Sequence, residues 1–155
     1  APDYSAAYIN LGALLMRRGD LQGAVSQFRR SLEINPGQWE ARVNLGAALA
    51  GQGKAAEAIT SYREALRIDP GVMQAHYGLA DLLAQQGNLE EAVSHYREVV
   101  RLNPRFAEGH FSLGVVLGRQ GKMEEALQHY RAVQGLKPRL AETLFREIEA
   151  MRMQQ

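Results

Sequence analysis

Apolar residues return at intervals of three and four in the first part of the chain, with polar residues between them. Tyr8, Leu11 and Leu15 form a first stripe with this spacing, and a second stripe runs through residues 21–32. Such spacing predicts two amphipathic helices, each with one apolar face. Gly19 lies between the stripes, and glycine readily adopts the left-handed conformation that ends a helix. The pattern therefore predicts a helix, a tight turn and a second helix.

This helix–turn–helix pattern repeats every 34 residues. The repeating positions are the prolines of the phrases INPGQ, IDPGV, LNPRF and LKPRL, the turn glycines, one leucine of each first helix and one aromatic residue of each second helix: Pro36, Pro70, Pro104, Pro138; Gly19, Gly53, Gly87, Gly121; Leu11, Leu45, Leu79, Leu113; Phe28, Tyr62, Tyr96, Tyr130. A small residue also recurs in each helix, at Gly12 and Ala24 in the first unit, so we expect the paired helices to pack closely. One hairpin cannot bury its apolar face alone, so the period predicts a solenoid of stacked hairpins with a proline-marked connection after each.

The order Tyr/His–x2–Leu–Gly/Ala–x2–Leu, then Ala–x3–Phe/Tyr and then Pro resembles the tetratricopeptide repeat over nearly the whole chain. Two departures are Arg42, where a bulky first residue is usual, and a leucine in place of the usual tyrosine in each first helix. The resemblance implies an all-α fold, a right-handed α-α superhelix whose first helices line a concave groove. The expected segments are residues 1–4 as a lead-in or the tail of a preceding repeat, 5–38, 39–72, 73–106 and 107–140 as four repeats, and 141–155 as a C-terminal capping helix or a partial fifth repeat.

Both ends of the chain extend the same pattern. Pro2 is in register with the later prolines, so we expect the chain to be a segment of something longer. After the fourth repeat, one apolar helical face is formed by Leu140, Leu144, Ile148 and Met151. Glu147 and Ile148 stand where the repeat has leucine and glycine. This last helix is expected either to cap the fourth hairpin or to begin a fifth.

The resemblance also implies which residues line the groove, because fixed positions of each first helix face it. The candidate partner-binding residues are Ile9, Asn10, Met16, Arg17, Val43, Asn44, Tyr77, Asp81, Phe111, Ser112, Val115 and Arg119. Small residues such as Ala84 and Gly118 complete this expected lining. Gly78 beside Tyr77 is expected to leave a hollow that a side chain of the partner enters. A partly apolar lining with few charges favours a hydrophobic peptide or an amphipathic helix as the bound segment.

Two groove chemistries of the family can be compared with these positions. Members that grip a terminal carboxylate use lysine, arginine and asparagine, and the corresponding residues here include no cation. They are Ile9, Ala13, Asn44, Gln74 and Gly78 in the first frame. We therefore exclude such a clamp. Asn10 of INLG and Asn44 of VNLG are instead similar to the asparagine ladder of O-linked N-acetylglucosamine transferase repeats, which holds the backbone of an extended peptide. The alternative is that NLG is simply common in this repeat family.

Composition narrows the function classes. The 155 residues carry a formal net charge of +1 with interspersed charges, so no basic patch indicates a nucleic-acid partner. No apolar stretch approaches the roughly 20 residues of a membrane span, and no signal peptide is visible. We therefore expect no membrane insertion, and we favour the cytoplasm, with the periplasm as the alternative if a signal has been removed. The absence of cysteine excludes disulfides, thiol catalysis and thiolate metal sites.

Four histidines suggest a metal hypothesis. His76 and His110 share one repeat position, and His95 and His129 share another, so the members of each pair are expected about 10 Å apart, like neighbouring packed helices. That distance is too long for two ligands of one metal ion. We expect packing or surface histidines, and neither a metal nor a cofactor.

No sequence motif supports a catalytic function. No nucleophile elbow or phosphate-binding loop is present, and the paired acids of NLEEA and KMEEA open second helices, where they favour the helix dipole. We expect a non-catalytic scaffold that binds a protein or peptide partner. The alternatives are the substrate-recognition segment of a larger enzyme such as a glycosyltransferase, and a module that self-associates through its C-terminal helix.

Overall fold

The computed structural model describes residues 4–153, and in that range the chain forms nine α-helices joined by short turns. The first helices of the four repeats are α1 (Ser5–Arg17), α3 (Trp39–Gly51), α5 (Met73–Gln85) and α7 (Ala107–Arg119). The second helices are α2 (Leu21–Ile34), α4 (Ala55–Ile68), α6 (Leu89–Leu102) and α8 (Met123–Leu136), and α9 (Pro138–Arg152) follows. The all-α fold of helix–turn–helix repeats is thereby confirmed. Pro2, and with it the expected register of a preceding repeat, lies outside the described residues.

The turns inside the four hairpins depend on glycine. The turn glycines have φ between 76° and 82°, the left-handed region that side chains other than glycine rarely adopt: Gly19, Gly53, Gly87 and Gly121. Each turn therefore ends its first helix at the position that the 34-residue period predicts.

Three of the four proline phrases form a connection, and the fourth does not. The side-chain oxygens of Asn35, Asp69 and Asn103 accept a hydrogen bond from the backbone N–H two residues later, at 3.2, 2.8 and 3.1 Å. This side-chain-to-backbone bond holds the chain in a turn around the proline. Lys137 stands at the same place in LKPRL and has no such acceptor. The helix α9 begins directly at Pro138, because proline is well suited to the first position of a helix.

A side chain near the start of each of α3, α5 and α7 forms a hydrogen bond with the connection that precedes the helix. Arg42, His76 and His110 each direct a side-chain nitrogen to the carbonyl oxygen of the proline six residues earlier, at 3.1, 2.9 and 3.0 Å. Arg42 also forms an ion pair with Glu64. The arginine that departs from the usual repeat pattern therefore keeps a structural role, since it supplies the same donor as the two histidines.

Close packing within the hairpins requires the small residues of the first helices. A Cβ atom placed on Gly12 would lie 2.5 Å from the ring of Phe28, and one on Gly46 would lie 2.8 Å from the ring of Tyr62. Both rings are buried. The expectation that these glycines allow the two helices of a hairpin to approach each other is confirmed.

The chain divides into two compact units, with the boundary between Leu82 and Leu83. In unit 1, α3 packs against both α1 and α2, and Arg29 of α2 forms an ion pair with Glu57 of α4 at 3.0 Å. In unit 2, α7 packs against α6, α8 and α9, and Arg97 of α6 forms an ion pair with Glu125 of α8 at 2.7 Å. The same charge pattern thus joins successive second helices in each unit.

The C-terminal helix α9 covers the last hairpin with one apolar face. Leu144 and Ile148 are fully buried, whereas Leu140 and Met151 at the ends of the face are half-buried. Two methyl groups of Leu144 lie 3.1 and 3.2 Å from the position that a Cβ atom on Gly114 would take. In the first two repeats, the aromatic ring of the second helix lies against the corresponding glycine of the first helix. In the fourth repeat, Leu144 of α9 fills this space beside Gly114 instead.

Candidate functional site

The twelve residues expected to line the groove are all accessible in part. Eight lie in unit 1, with Ile9, Asn10, Met16 and Arg17 on α1, Val43 and Asn44 on α3, and Tyr77 and Asp81 on α5, and four lie on α7 in unit 2, namely Phe111, Ser112, Val115 and Arg119. Each is half-buried or exposed, and none belongs to the buried core. Within each unit, then, the first helices carry these side chains where a partner could contact them.

The hollow expected at Gly78 is absent, because Tyr62 fills it. A Cβ atom on Gly78 would lie 2.5 and 2.6 Å from the ring carbon Cζ and the hydroxyl oxygen of Tyr62. The opposite edge of the same ring lies against Gly46. The missing side chain at Gly78 therefore makes room for a residue of this chain, and the prediction that it admits a side chain of the partner is wrong.

The hydroxyl group of Tyr62 places a polar atom beside Gly78 in unit 1. Burial of the phenol, and secondly the negative charge of Asp81, raise the pKa of Tyr62 to about 12. At neutral pH the hydroxyl is therefore protonated and keeps its capacity to donate a hydrogen bond. Asp81 is one of the candidate groove residues, so a carboxylate of α5 lies near the buried phenol of Tyr62 on α4.

The two asparagines of the proposed ladder are free to bind. Asn10 is exposed and Asn44 is half-buried. Within residues 4–153, the side-chain amide of neither residue takes part in a hydrogen bond. An amide in this state offers one acceptor and two donors, which match the N–H and C=O groups of an extended peptide.

Unit 2 presents a further aromatic residue that the sequence analysis missed. Phe145 on α9 lies one 34-residue period after Phe111, and 43% of its surface is exposed. Its ring lies 5.4 Å, centroid to centroid, from the ring of Tyr130. The 34-residue period itself places Phe145 at the position of Phe111, as expected if α9 is the partial fifth repeat that the sequence offers as the alternative to a cap.

Some residues of the wider expected lining are not available. Ala84 and Gly118 are buried, and the sulfur of Met151 lies 2.8 Å from the position of a Cβ atom on Gly118. Arg119 donates a hydrogen bond from Nη1 to the carbonyl oxygen of Ala84 at 3.2 Å. The far end of the fourth repeat is therefore partly occupied by α9 and by contacts within the chain, and its accessible residues are Phe111, Ser112, Val115 and the exposed part of Arg119.

Two histidines of unit 2 meet in a way that the repeat period does not suggest. His110 Nδ1 and His129 Nδ1 are 2.9 Å apart, and His110 Nε2 is 3.0 Å from the carbonyl oxygen of Pro104. Because that carbonyl can only accept, His110 Nε2 carries the hydrogen and its Nδ1 accepts from His129 Nδ1–H. The period relates His110 to His76 and His129 to His95, so it does not indicate this pair, whose members face each other across the hairpin of α7 and α8.

The environment of this pair keeps His129 neutral. The pKa of His129 is lowered to about 4, mainly by burial and then by its electrostatic interactions with His110 and Arg97, while Glu125 acts in the opposite direction. In residues 4–153, no group of three or more histidine, aspartate or glutamate side chains is arranged to hold a metal ion. No helix in this range has both the length and the apolar character of a membrane span.

Comparisons with known proteins agree with the repeat architecture. The family model for the tetratricopeptide repeat matches residues 1–38, 9–72, 43–104 and 77–141. The chain is similar to a solved tetratricopeptide repeat protein from Parabacteroides merdae ATCC 43184, with a TM-score of 0.87, 22% identity, and coverage of 99% of this chain and 62% of that one. It is also similar to MamA 41-end from Desulfovibrio magneticus RS-1, with a TM-score of 0.82, 19% identity, and coverage of 99% and 98%.

A third similar structure is YrrB, described as a TPR protein with an unusual peptide-binding site. It has a TM-score of 0.79 and 21% identity, and the similarity covers 93% of this chain and 84% of that one. No curated protein matches the chain. At these identities the structural neighbours show the fold alone, whereas the matches to the family model extend over nearly the whole sequence.

Proposed function

We propose that this chain, which belongs to the tetratricopeptide repeat family, is a non-catalytic scaffold. Its ligand is an apolar peptide or an amphipathic helix of a partner protein, bound on the exposed side of the first helices. The observation that carries the proposal is a file of accessible apolar side chains at the same position of each first helix. In unit 1 these residues are Ile9, Val43 and Tyr77, and in unit 2 they are Phe111 and, at the same repeat position on α9, Phe145; the file denotes these residues by their shared repeat position within each unit.

This file has the chemistry of a recognition surface. Large apolar side chains that remain partly exposed at one position of every repeat form a binding surface for an apolar ligand. These residues are aliphatic in the first two repeats, at Ile9 and Val43, and aromatic at the later positions Tyr77, Phe111 and Phe145. Large aromatic contacts dominate binding energy at interfaces, so we expect the aromatic members to contribute more than the aliphatic ones.

The comparison with YrrB supports a peptide ligand, since that protein is described as having a peptide-binding site. A ligand held by a terminal carboxylate is disfavoured, because the positions of such a clamp hold Ile9, Ala13, Asn44, Gln74 and Gly78 and lack a cation. The bound segment should therefore be recognised through its apolar side chains.

A displayed library of amphipathic and extended 15-residue peptides tests this proposal. Peptides selected on the parent chain should lose about tenfold or more in affinity for a Tyr77→Ala/Phe111→Ala variant, because truncation of aromatic contacts at an interface costs more than 1 kcal/mol each. A Thr60→Ala/Gln128→Ala variant, changed at exposed positions of second helices, serves as the matched control and should bind like the parent.

Equal binding by the parent and the aromatic variant, with retained helicity in both, would show that the partner does not use this file. An unfolding midpoint that falls sharply in Tyr77→Ala/Phe111→Ala would assign the two rings to the core and remove them from the proposed surface. A further variant, Val43→Ser, keeps the test meaningful in that case, because it changes the same file at a small and half-buried side chain.

A second binding mode is favoured by the unengaged amides of Asn10 and Asn44. Such a ladder would hold an extended peptide by its backbone, whatever its side chains, and would suit a segment that presents substrates to a catalytic domain. Asn10→Ala/Asn44→Ala should then weaken extended peptides from the library while helical peptides bind as before. A loss of the same size for both peptide classes would contradict the ladder.

A further inference from the structure

The helix α5 differs from the other first helices at two repeat positions that carry candidate binding residues. At the position of Asp81, the other three repeats have small or apolar residues, namely Ala13, Ala47 and Val115. At the position of Gly78, they have polar side chains, namely Asn10, Asn44 and Ser112. In unit 1, α5 therefore has a carboxylate where the other repeats have no charge, and no side chain where they have a polar one.

The carboxylate of Asp81 shares a helix face with the aromatic member of the file in unit 1. Tyr77 and Asp81 are four residues apart on α5, so their side chains lie on adjacent turns of the same face, with Cβ atoms about 5–6 Å apart. Both residues are half-buried. Gly78 lies three residues before Asp81 and places no side chain on the turn that precedes the carboxylate. An aromatic ring and a carboxylate are thus neighbours on an accessible face of unit 1.

The hydroxyl group of Tyr62 lies under the same stretch of α5, at 2.6 Å from the position of a Cβ atom on Gly78. After burial, Asp81 is the second cause of the raised pKa of Tyr62, and in residues 4–153 no positive charge contributes to this shift. The negative charge of Asp81 therefore acts on its surroundings in unit 1 without being offset at the phenol.

Few cations of unit 1 lie on the first helices. In the part of the chain that the structure describes, the arginines on these helices are Arg17, the last residue of α1, and Arg42 on α3. Arg42 is engaged by Glu64 and by the preceding connection. A carboxylate has two oxygens and accepts up to about four hydrogen bonds, so interactions of Asp81 within the chain leave capacity for a ligand.

We propose that the segment bound along the file carries an arginine, which pairs with Asp81 and stacks on the ring of Tyr77. A guanidinium group can donate two parallel hydrogen bonds to a carboxylate, and its flat face packs on an aromatic ring. Lysine would keep the charge but lose the paired hydrogen bonds. This inference rests on the proposed function and deepens it, because it names the charged residue that an otherwise apolar segment carries.

The same carboxylate selects against acidic segments. A negative charge brought next to Asp81 meets a like charge, which is unfavourable at an interface. This agrees with the missing cations at the positions of a carboxylate clamp. Charge in unit 1 therefore discriminates between apolar segments that the file alone would bind equally well.

Selection from the library of 15-residue peptides gives the first test. Peptides selected on the parent chain should be enriched in arginine next to their apolar residues, and peptides selected on Asp81→Asn should not. Glu33→Gln removes the same charge from an exposed position of α2 in the same unit, and this matched control should select arginine as the parent does. Tyr77→Leu keeps an apolar side chain in the file and should reduce the preference for arginine over lysine.

The affinity of one selected peptide and of its citrulline counterpart gives the second test. Citrulline keeps the shape of arginine and removes its charge. On the parent, the citrulline peptide should bind about tenfold more weakly, because a hydrogen-bonded charge pair is lost. On Asp81→Asn, the two peptides should bind within about twofold of each other. The comparison on the parent needs no change of the protein, so it holds even if Asp81→Asn is destabilised.

The outcomes separate this inference from the proposed function. A tenfold preference for arginine that persists in Asp81→Asn would overturn the pairing with Asp81. Selected peptides that lack basic residues but lose affinity for Tyr77→Ala/Phe111→Ala would overturn the arginine and leave the file as the binding surface. Peptides that bind the parent, Asp81→Asn and Tyr77→Ala/Phe111→Ala equally would overturn the proposed function and this inference with it.

Discussion

The second and fourth hairpins have the same residues at their point of closest approach, yet they pack differently. Both pair a glycine of the first helix with a tyrosine of the second, Gly46 with Tyr62 in unit 1 and Gly114 with Tyr130 in unit 2. Tyr62 is buried with its ring against the glycine, whereas Tyr130 is half-buried and Leu144 lies against Gly114 instead. Identical residues at one repeat position can thus have different environments.

The helix that follows each hairpin accounts for this difference. In unit 1, α5 brings Gly78 to the second edge of the Tyr62 ring, so the ring fits between two glycines. In unit 2, α9 has Arg146 at the position of Gly78 and inserts Leu144 into the hairpin. The comparison shows that the packing of a repeat depends on its neighbour as well as on its own residues, and three predictions test this.

The largest effect is expected for Leu144→Ala. This fully buried side chain fills the space against Gly114, so its removal leaves a cavity and should lower the free energy of unfolding by about 2–5 kcal/mol. Urea unfolding followed by circular dichroism measures the change. Phe145→Ala, one residue away and exposed, is the control and should cost far less. A loss below about 1 kcal/mol for Leu144→Ala would mean that Tyr130 moves in and restores the arrangement of unit 1.

Alanine at the hairpin glycines should separate the two kinds of packing. Gly46→Ala would place a Cβ atom 2.8 Å from a tyrosine ring that Gly78 confines on its other edge, so we expect destabilisation by about 1–3 kcal/mol. At Gly114 the nearest atoms are leucine methyl groups at 3.1 and 3.2 Å, which can rotate away, so Gly114→Ala should be nearly neutral.

Gly135→Ala is the reference for this pair of substitutions. No atom lies within 4 Å of its Cβ position, and alanine favours a helix over glycine, so stability should rise by roughly 0.5–1 kcal/mol. If Gly46→Ala and Gly114→Ala changed the urea midpoint equally, the difference between the two hairpins would have no energetic consequence.

The smallest expected effect is a difference in pH response. The pKa of His129 is about 4 in the folded chain, below the ordinary value of 6.5, so the unfolded chain binds more protons between these values. Stability contributed by unit 2 should therefore fall as the pH decreases from about 6.5 towards 4. Tyr62 in unit 1 has a pKa of about 12, so its effect appears as a loss of stability above about pH 10.

Thermal melts of the parent and His129→Gln at pH 7 and pH 5 measure this response. The difference between the two pH values should be smaller in His129→Gln, since glutamine does not titrate. A response of unchanged size in this variant would assign the acid sensitivity to other groups.

Local features of the sequence determined the helices, the turns and the family. Left-handed backbone at Gly19 and its equivalents requires glycine, and apolar residues at helical spacing must be buried on one face, so both could be predicted without a structure. The early start of α9 at Pro138 also had a local cause, the replacement of an asparagine or aspartate by Lys137. That replacement is visible in the sequence, although the proline that all four phrases share predicts the same connection in each of them.

Only the tertiary structure decided how space between helices is filled. The ring of Tyr62 beneath Gly78, the insertion of Leu144 against Gly114 and the contact of His110 with His129 each join residues of different helices. The period assigns a residue to a face of its helix, but it does not specify which neighbouring side chain reaches the same space. That outcome depends on the shapes and volumes of side chains from several helices packed together.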